Sequence, residues 1–301
     1  IVSNGDPVAF PYGYAMWLAF LPLSLAAKMT GLPLLYAYDL TLLAADFCLL
    51  LTLHRLLPNR KQLLLLVYWL SPIIILASYG LGLNDLIPAL LLVLSIVFVR
   101  RIELKLAGIL LAAAISAKLS MVVALPFFAI YLFNNRALRQ HSPEFMSGFG
   151  FSILVLGGAF LFSEAGLQML LGNPEMEKIY QLAIGLVGNV SIFVTPLAYL
   201  VMLYLTWRVR RLNFDLFQAT IGMAFLLIVL MTPASPGWFV WCIPFLVLYQ
   251  AMSGRIAILM VGIFSGVYVL STLLVTQLQF ANGHEFALGA VLHVPGLLGS
   301  H

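Results

Sequence analysis

The sequence predicts an all-α integral membrane protein in which ten helices cross the membrane and one more lies along its surface. Composition is the first observation behind this: 63% of residues are hydrophobic, 9% are charged, and mean hydropathy is +1.07, whereas soluble domains carry about 25% charge. Second, the apolar residues come in runs of about 14 to 24, bracketing the roughly 20 needed to cross about 30 Å of hydrocarbon. Third, the breaks between runs alternate in charge. Twelve of the 15 Lys and Arg fall in Arg55/Arg60/Lys61, Arg100/Arg101/Lys105, Arg136/Arg139, Arg208/Arg210/Arg211 and Arg255. The intervening breaks hold Gly82-Leu83-Asn84-Asp85, Lys118, the acidic stretch 164–177 and Pro233-Ala234-Ser235-Pro236-Gly237-Trp238. Basic loops stay in the cytoplasm, so the second set meets on the opposite face, where a shared site can form.

The elements follow in order. Residues 1–33 read as an outer loop and a juxtamembrane helix over 11–30. Counting 11–30 as a crossing puts every later basic cluster outside, whereas laying it along the interface restores the pattern. Tyr12, Tyr14 and Trp17 suit headgroup level. The spanning bundle, 34–278, divides into 34–54, 62–79, 86–99, 104–117, 119–133, 146–163, 191–207, 214–231, 238–251 and 256–278, and 279–301 forms an outer tail, all in one domain. The opening Ile1-Val2-Ser3-Asn4-Gly5-Asp6 has neither an initiator Met nor the basic-then-apolar start of a signal peptide, so we expect sequence upstream of it.

Charge and motifs narrow the function classes. The net charge of +4 is accounted for by the cytoplasmic clusters, and no basic stripe with interleaved aromatics suggests nucleic acid. Cys48 and Cys242 lie inside apolar runs and read as buried, inert thiols. There is no H-x-x-x-H, C-x-x-C or D-x-D, and His284, His293 and His301 fit no ligand spacing. Phosphate-binding glycine loops and a G-x-S-x-G elbow are also missing.

The few ionisable residues within or beside the spans are the candidates for chemistry, since such groups face the bundle interior or water. Asp46 reads first as a buried acid held by a neighbouring helix. Asp39, one heptad earlier on the same face, admits a structural and a functional reading equally. Asp85 either caps a helix, a role in which Asn serves nearly as well, or serves a site with its charge. Lys118 is either a snorkelling lysine or a phosphate clamp. The charged stretch 164–189 reads as solvated loop. Trp238 and Trp241 suit an interfacial anchor, while Pro236-Gly237 suggests backbone shaped around something.

Taken in order, these residues resemble the polyprenyl-phosphate-sugar-dependent glycosyltransferases of the GT-C class, in particular the GPI mannosyltransferase I catalytic subunit family and related bacterial mannosyltransferase-like proteins. Asn4-Gly5-Asp6-Pro7 with Pro11-Tyr12-Gly13-Tyr14 is similar to the family's stretch ahead of a juxtamembrane helix, although Gly13 stands where proline is common. Tyr38-Asp39-Leu40 matches an acid early in the next crossing, Tyr68-Trp69-Leu70-Ser71-Pro72 resembles "F-W-L-N-P", and Gly82-Leu83-Asn84-Asp85 resembles "G-Q-N-D". Ala117-Lys118-Leu119 resembles the "x-K-x-Y-P" segment, with Ser120 and Met121 replacing Tyr and Pro, and Trp238-Phe239-Val240-Trp241 with Pro244 the late "Y-F-L-W…L-P". The resemblance covers most of residues 1–250. It implies a GT-C-like bundle that transfers a mannose-like sugar, with inversion, from a polyprenyl-phosphate donor to a glycan or glycolipid acceptor. The active face is periplasmic or lumenal, in a bacterial inner membrane or the endoplasmic reticulum. On that reading Asp6 or a missing upstream acid is the base, and Asp85 joins it in the catalytic set. Lys118 clamps phosphate, Asp39, Asn84, Tyr12 and Trp238 bind substrate, and use of a divalent cation stays open. A catalytically silent GT-C-like protein that binds lipid-linked sugars and a lipid or sugar transporter are the alternatives, the latter without the paired broken helices of transporters.

Overall fold

A computed structural model describes residues 2–3, 6–7, 12–164, 166–167, 174–185, 191–275, 278–279 and 285–286. The described residues are all-α apart from three short hairpins. Four of its helices, Leu34–Leu56, Lys61–Gly80, Phe214–Met231 and Arg255–Leu274, are long and apolar enough to cross a membrane, and shorter apolar helices fill the intervals between them.

After the two-residue strands β1 (Val2–Ser3) and β2 (Asp6–Pro7), α1 runs from Tyr14 to Thr30. It closes on Gly31 at φ 75°, where Leu32 N–H returns to Ala27 C=O at 3.0 Å, a left-handed stop that favours glycine. Pro33 then launches α2 (Leu34–Leu56). The next helical segment, expected to be unbroken over 62–79, is split. α3 (Lys61–Leu64) widens into a π-turn at Leu65–Trp69, the chain breaks at Leu70–Ser71, and α4 (Pro72–Ile74) widens into a second π-turn at Ile75–Gly80. Pro72 is the cause: it offers no N–H and pushes Ser71 out of the helical region, to φ −61° and ψ 117°. α5 (Leu86–Arg100) and α6 (Leu104–Ala117) follow, joined across their faces by Ser95 Oγ–H to Ala107 C=O at 2.7 Å.

Beyond Lys118 a 3₁₀ stretch, Leu119–Ala124, leads into α7 (Leu125–Asn134), α8 (Arg136–Arg139) and α9 (Ser142–Leu161). The alanine-rich α6 is the central packing element, seated against α5 on one side and α9 on the other, as small side chains permit close helix approach. The acidic outer stretch contributes α10 (Pro174–Glu177), a 3₁₀ turn at Lys178–Tyr180 and strand β3 (Ala183–Gly185), which pairs with β4 (Ser191–Phe193). The hairpin corrects the expectation that 191 begins a helix. Ser191, Ile192 and Phe193 are exposed strand residues, and α11 (Val194–Arg208) starts after them. α12 (Phe214–Met231), a 3₁₀ turn at Pro236–Trp241, α13 (Ile243–Ser253), α14 (Arg255–Val275) and strands β5 (Leu278–Gln279) and β6 (Glu285–Phe286) are the last of the described elements.

Contacts between helix ends sort the bundle into two ends. At one, Arg100 Nη1 donates to Leu56 C=O at 3.2 Å and its guanidinium lies 5.5 Å from the Phe214 ring, while Asn134 reaches Trp207 C=O at 3.3 Å. All twelve clustered Lys and Arg are exposed, in or beside helix termini, and Arg55, Arg100, Arg136 and Arg208 flank these contacts, which makes this the basic end. At the other, Tyr38 O–H donates to Gly82 C=O, Lys118 meets Asp85, and Tyr199 O–H donates to Val123 C=O. α1 is tied to this second end at its start, Gly13 N–H to Ser116 C=O at 2.7 Å, and at mid-length, Phe20 stacked on Tyr38 at 4.9 Å, and its C-terminus passes through Gly31–Pro33 straight into the start of α2 at the same end. α1 therefore lies across the end of the bundle and does not run its length.

Cys242 is buried as expected, but Cys48 is exposed on α2. Its face looks out of the bundle together with Leu40, Leu43, Phe47 and Leu51.

Candidate functional site

Four chain segments converge at the end of the bundle away from the basic clusters. Asp85 stands at the start of α5, Lys118 at the end of α6, Tyr12 just ahead of α1, and Trp238 and Trp241 in the 3₁₀ turn. Lys118 Nζ donates to Asp85 Oδ1 at 2.5 Å, and Trp241 Nε1–H donates to the same oxygen at 2.7 Å. Lys118 is 9% exposed and Asp85 2%, so the pair sits in protein rather than in solvent. The ammonium also lies 5.0 Å from the Trp241 ring centre and 5.7 Å from that of Tyr12, within the range where a ring face attracts a cation.

Local backbone geometry explains why these side chains meet. Lys118 is extended at φ −153° and ψ 119° between an α-helix and a 3₁₀ turn, which swings its side chain off the helical path. In the turn Pro236–Trp241, residues i and i+3 eclipse, so Trp238 and Trp241 stack at 5.2 Å and 20°. Two glycines permit the close approaches. A Cβ on Gly237 would overlap Oδ2 of Asp85, and one on Gly13 would overlap the Ser116 carbonyl that its N–H binds. The sequence signal from Pro236-Gly237 was real: the backbone there is shaped around the Asp85 carboxylate.

Between these groups opens a cavity of about 460 Å³. Lys118, Asp85, Tyr12, Trp238 and Trp241 line its head, and an apolar flank including Val122, Val123, Ile179, Leu200 and Ile228 extends from it. An ammonium has three N–H donors; one is committed to Asp85, leaving capacity for the oxygens of an anionic ligand. The arrangement suits a molecule with a small anionic head and a long apolar body.

Of the predicted site residues, Tyr12, Asp85, Lys118 and Trp238 converge on this cavity. Asp85 does not cap α5 with its side chain. Neither is its carboxylate placed to take a substrate proton, because Oδ1 accepts from Lys118 and Trp241 and Oδ2 abuts Gly237; it holds Lys118 in position. Asn84 is half-buried beside the lining, with Oδ1 unpartnered. Asp39 departs from expectation: it is exposed on α2 and outside the cavity lining, because the face of α2 that turns inward carries Ala37, Tyr38, Thr41 and Leu42. Asp6 is described through its backbone alone, opposite Ser3. Asp46 is the buried acid expected, held by Tyr68 and Tyr79. Trp241 and Tyr199 belong to the site without having been singled out as site residues, although the doubled tryptophans were a visible signal for the first. The loop 164–189, expected to be solvated, contributes Met176 and Ile179 to the lining, with Lys178 Nζ 5.5 Å from the Trp238 ring. Among the described residues no group of three or more His, Cys, Asp or Glu is placed to hold a metal ion. His293 and His301 lie outside the described residues, as does His284.

Comparison with protein families, with curated proteins and with solved structures gave no match.

Proposed function

We propose that this chain is an integral membrane glycosyltransferase of GT-C type, moving a mannose-like sugar from a polyprenyl-phosphate donor to a glycan or glycolipid acceptor on the non-cytoplasmic face. Ten crossings with α1 along the outer interface put all the basic clusters on the cytoplasmic side, as basic loops require. The observation that carries the reading is the buried Lys118–Asp85 pair at the head of a largely apolar cavity, at the end of the bundle away from those clusters. Charge grows on the leaving phosphate as the bond to the sugar's anomeric carbon breaks, and a preplaced ammonium lowers the energy of that charge most in the transition state. Asp85 holds the ammonium in place, the aromatic residues wall the head of the site, and the apolar flank accepts the lipid chain. The acceptor hydroxyl attacks the anomeric carbon from the opposite face, and its proton passes to a base, the role the resemblance gives to Asp6.

One observation favours a second reading, a protein that binds lipid-linked sugars without turning them over: among the described residues Asp85 is the sole carboxylate lining the cavity, and it is committed to Lys118. Assay of purified protein against a panel of polyprenyl-phosphate sugars separates the two. Transfer in wild type, loss of donor binding in Lys118→Ala and partial retention in Lys118→Arg, which keeps charge but changes shape, is the expected pattern. Equal donor binding by wild type and Lys118→Ala refutes the role given to Lys118, and tight binding without product from any donor selects the second reading.

A further inference from the structure

Asp46 lies in the interior of α2, 2% exposed, with no cation bonded to it. Its two oxygens are taken by two tyrosines of one helical segment. Tyr68 O–H donates to Oδ1 at 2.5 Å and Tyr79 O–H to Oδ2 at 2.6 Å. In an unbroken α-helix eleven residues span about 16 Å, too far for two phenols to share one carboxylate comfortably. The segment solves this by breaking at Leu70–Ser71 and widening into a π-turn at each tyrosine. Single π-turns inside α-helices concentrate at functional sites, and here each one carries a tyrosine that closes on Asp46.

The same segment leads directly into the site. Three residues past Tyr79, Gly82 C=O accepts from Tyr38 O–H at 2.6 Å, and Leu83 N–H returns to Ala77 C=O at 2.9 Å; Asp85 follows. Tyr38 and Asp46 stand on the one helix α2, eight residues or about 12 Å apart. α2 thus grips the 75–84 stretch at two points, one on each side of Gly80, and the stretch emerges from that grip carrying the carboxylate that must meet Lys118.

We propose that Asp46 is a positioning residue: acting through Tyr79, and together with Tyr38, it sets the register of residues 75–84 so that Asp85 engages Lys118 and Trp241. Asp46 touches neither ligand nor cavity; its effect on transfer rests on the glycosyltransferase reading, but its effect on the Asp85–Trp241 hydrogen bond does not. The two are tested separately.

The probe is the indole ¹⁵N–¹H resonance of Trp241 in ¹⁵N-tryptophan-labelled full chain, identified by its loss in Trp241→Phe. Its hydrogen bond to a carboxylate makes it sensitive to where Asp85 sits. Tyr79→Phe removes one hydroxyl from a side chain that is 41% exposed, so the fold survives; Tyr38→Phe releases the second grip. Each is expected to move the Trp241 resonance while leaving Trp207, at the basic end, in place. Tyr249→Phe, on an exposed face of α13, is expected to move neither. With a polyprenyl-phosphate sugar that the wild type uses, Tyr79→Phe is expected to lower kcat roughly tenfold, with KM changed less than about twofold, since a clamp on a leaving group acts in the transition state. An unmoved Trp241 resonance in both folded Tyr→Phe variants overturns the proposal, as does a moved resonance with unchanged kcat. A moved resonance in a protein whose wild type transfers no sugar upholds the grip and refutes the glycosyltransferase reading alone.

Discussion

Asp85→Asn removes one charge and almost no volume, and its effect can be worked from the surroundings. The substitution leaves the Lys118 ammonium, 9% exposed, without a counter-charge. Removing one partner of a buried ion pair costs about 3–5 kcal/mol, because the other charge stays buried and unpaired. Two features reduce that here. The amide oxygen still accepts a hydrogen bond, and the rings of Trp241 and Tyr12 continue to face the ammonium, each such contact being worth about 0.5–2 kcal/mol. We expect a loss of roughly 2–3 kcal/mol, which at about 2–4 °C per kcal/mol is a fall of roughly 4–12 °C in Tm. Thermal unfolding of purified protein in one fixed detergent measures it. Adding Lys118→Met to Asp85→Asn removes the orphaned charge, so the double variant should be more stable than Asp85→Asn by at least about 1 kcal/mol. If Asp85→Asn melts within 1 °C of wild type, or if the two substitutions lower stability additively, the buried pair is refuted and with it the positioning role of Asp85.

Gly237→Ala forces a methyl onto Oδ2 of Asp85, and a large loss of donor binding with a folded circular-dichroism spectrum is the expected result; wild-type binding contradicts the packing described. Gly13→Ala separates α1 from Ser116, and it should lower Tm and displace Tyr12 from the ammonium, which donor affinity reports. Single cysteines in a background lacking the native pair test orientation: labels at 59, 135 and 213 should react from the cytoplasmic side, and those at 32 and 84 from the other. Outside labelling at 59 sinks the ten-crossing topology, and inside labelling at 32 sinks the surface placement of α1.

Much of the bundle was legible in the sequence because bilayer thickness imposes a length on every apolar run and the charged breaks report where each one turns. Charge bookkeeping along the chain set α1 apart from the other helices, and the backbone bond at Gly13 and the Phe20–Tyr38 stack hold it against the end of the bundle. The interruption at Leu70–Ser71 was encoded by Pro72, but the π-turns around it were not, and the acid that their tyrosines reach lies on another helix. Asp85 and Lys118 stood out as charges in an apolar chain. Their pairing did not, because 33 residues separate them and α5 and α6 form a hairpin whose ends meet only in three dimensions. For the same reason Asp85→Asn is harmless on the capping reading the sequence offered, whereas in the structure it leaves a buried charge unpaired. Asp39 misled because helical spacing puts it on the face of Asp46 without saying what packs there: Tyr68 and Tyr79 cover Asp46, whereas Asp39 is left exposed.

The stacked indoles carry a consequence of their own. Trp238 and Trp241 face the same way because three residues make one full turn of a 3₁₀ helix; in an α-helix the same three residues fall about 60° short of a turn. The aromatic wall is thus set by helix type as much as by residue type. If the turn at Pro236–Trp241 relaxed to α geometry, one indole would rotate away from the other, and the Nε1–H that holds Asp85 would turn with it. The aromatic wall and the ion pair therefore share one short stretch of backbone, and a substitution that favoured α geometry there would disturb both together.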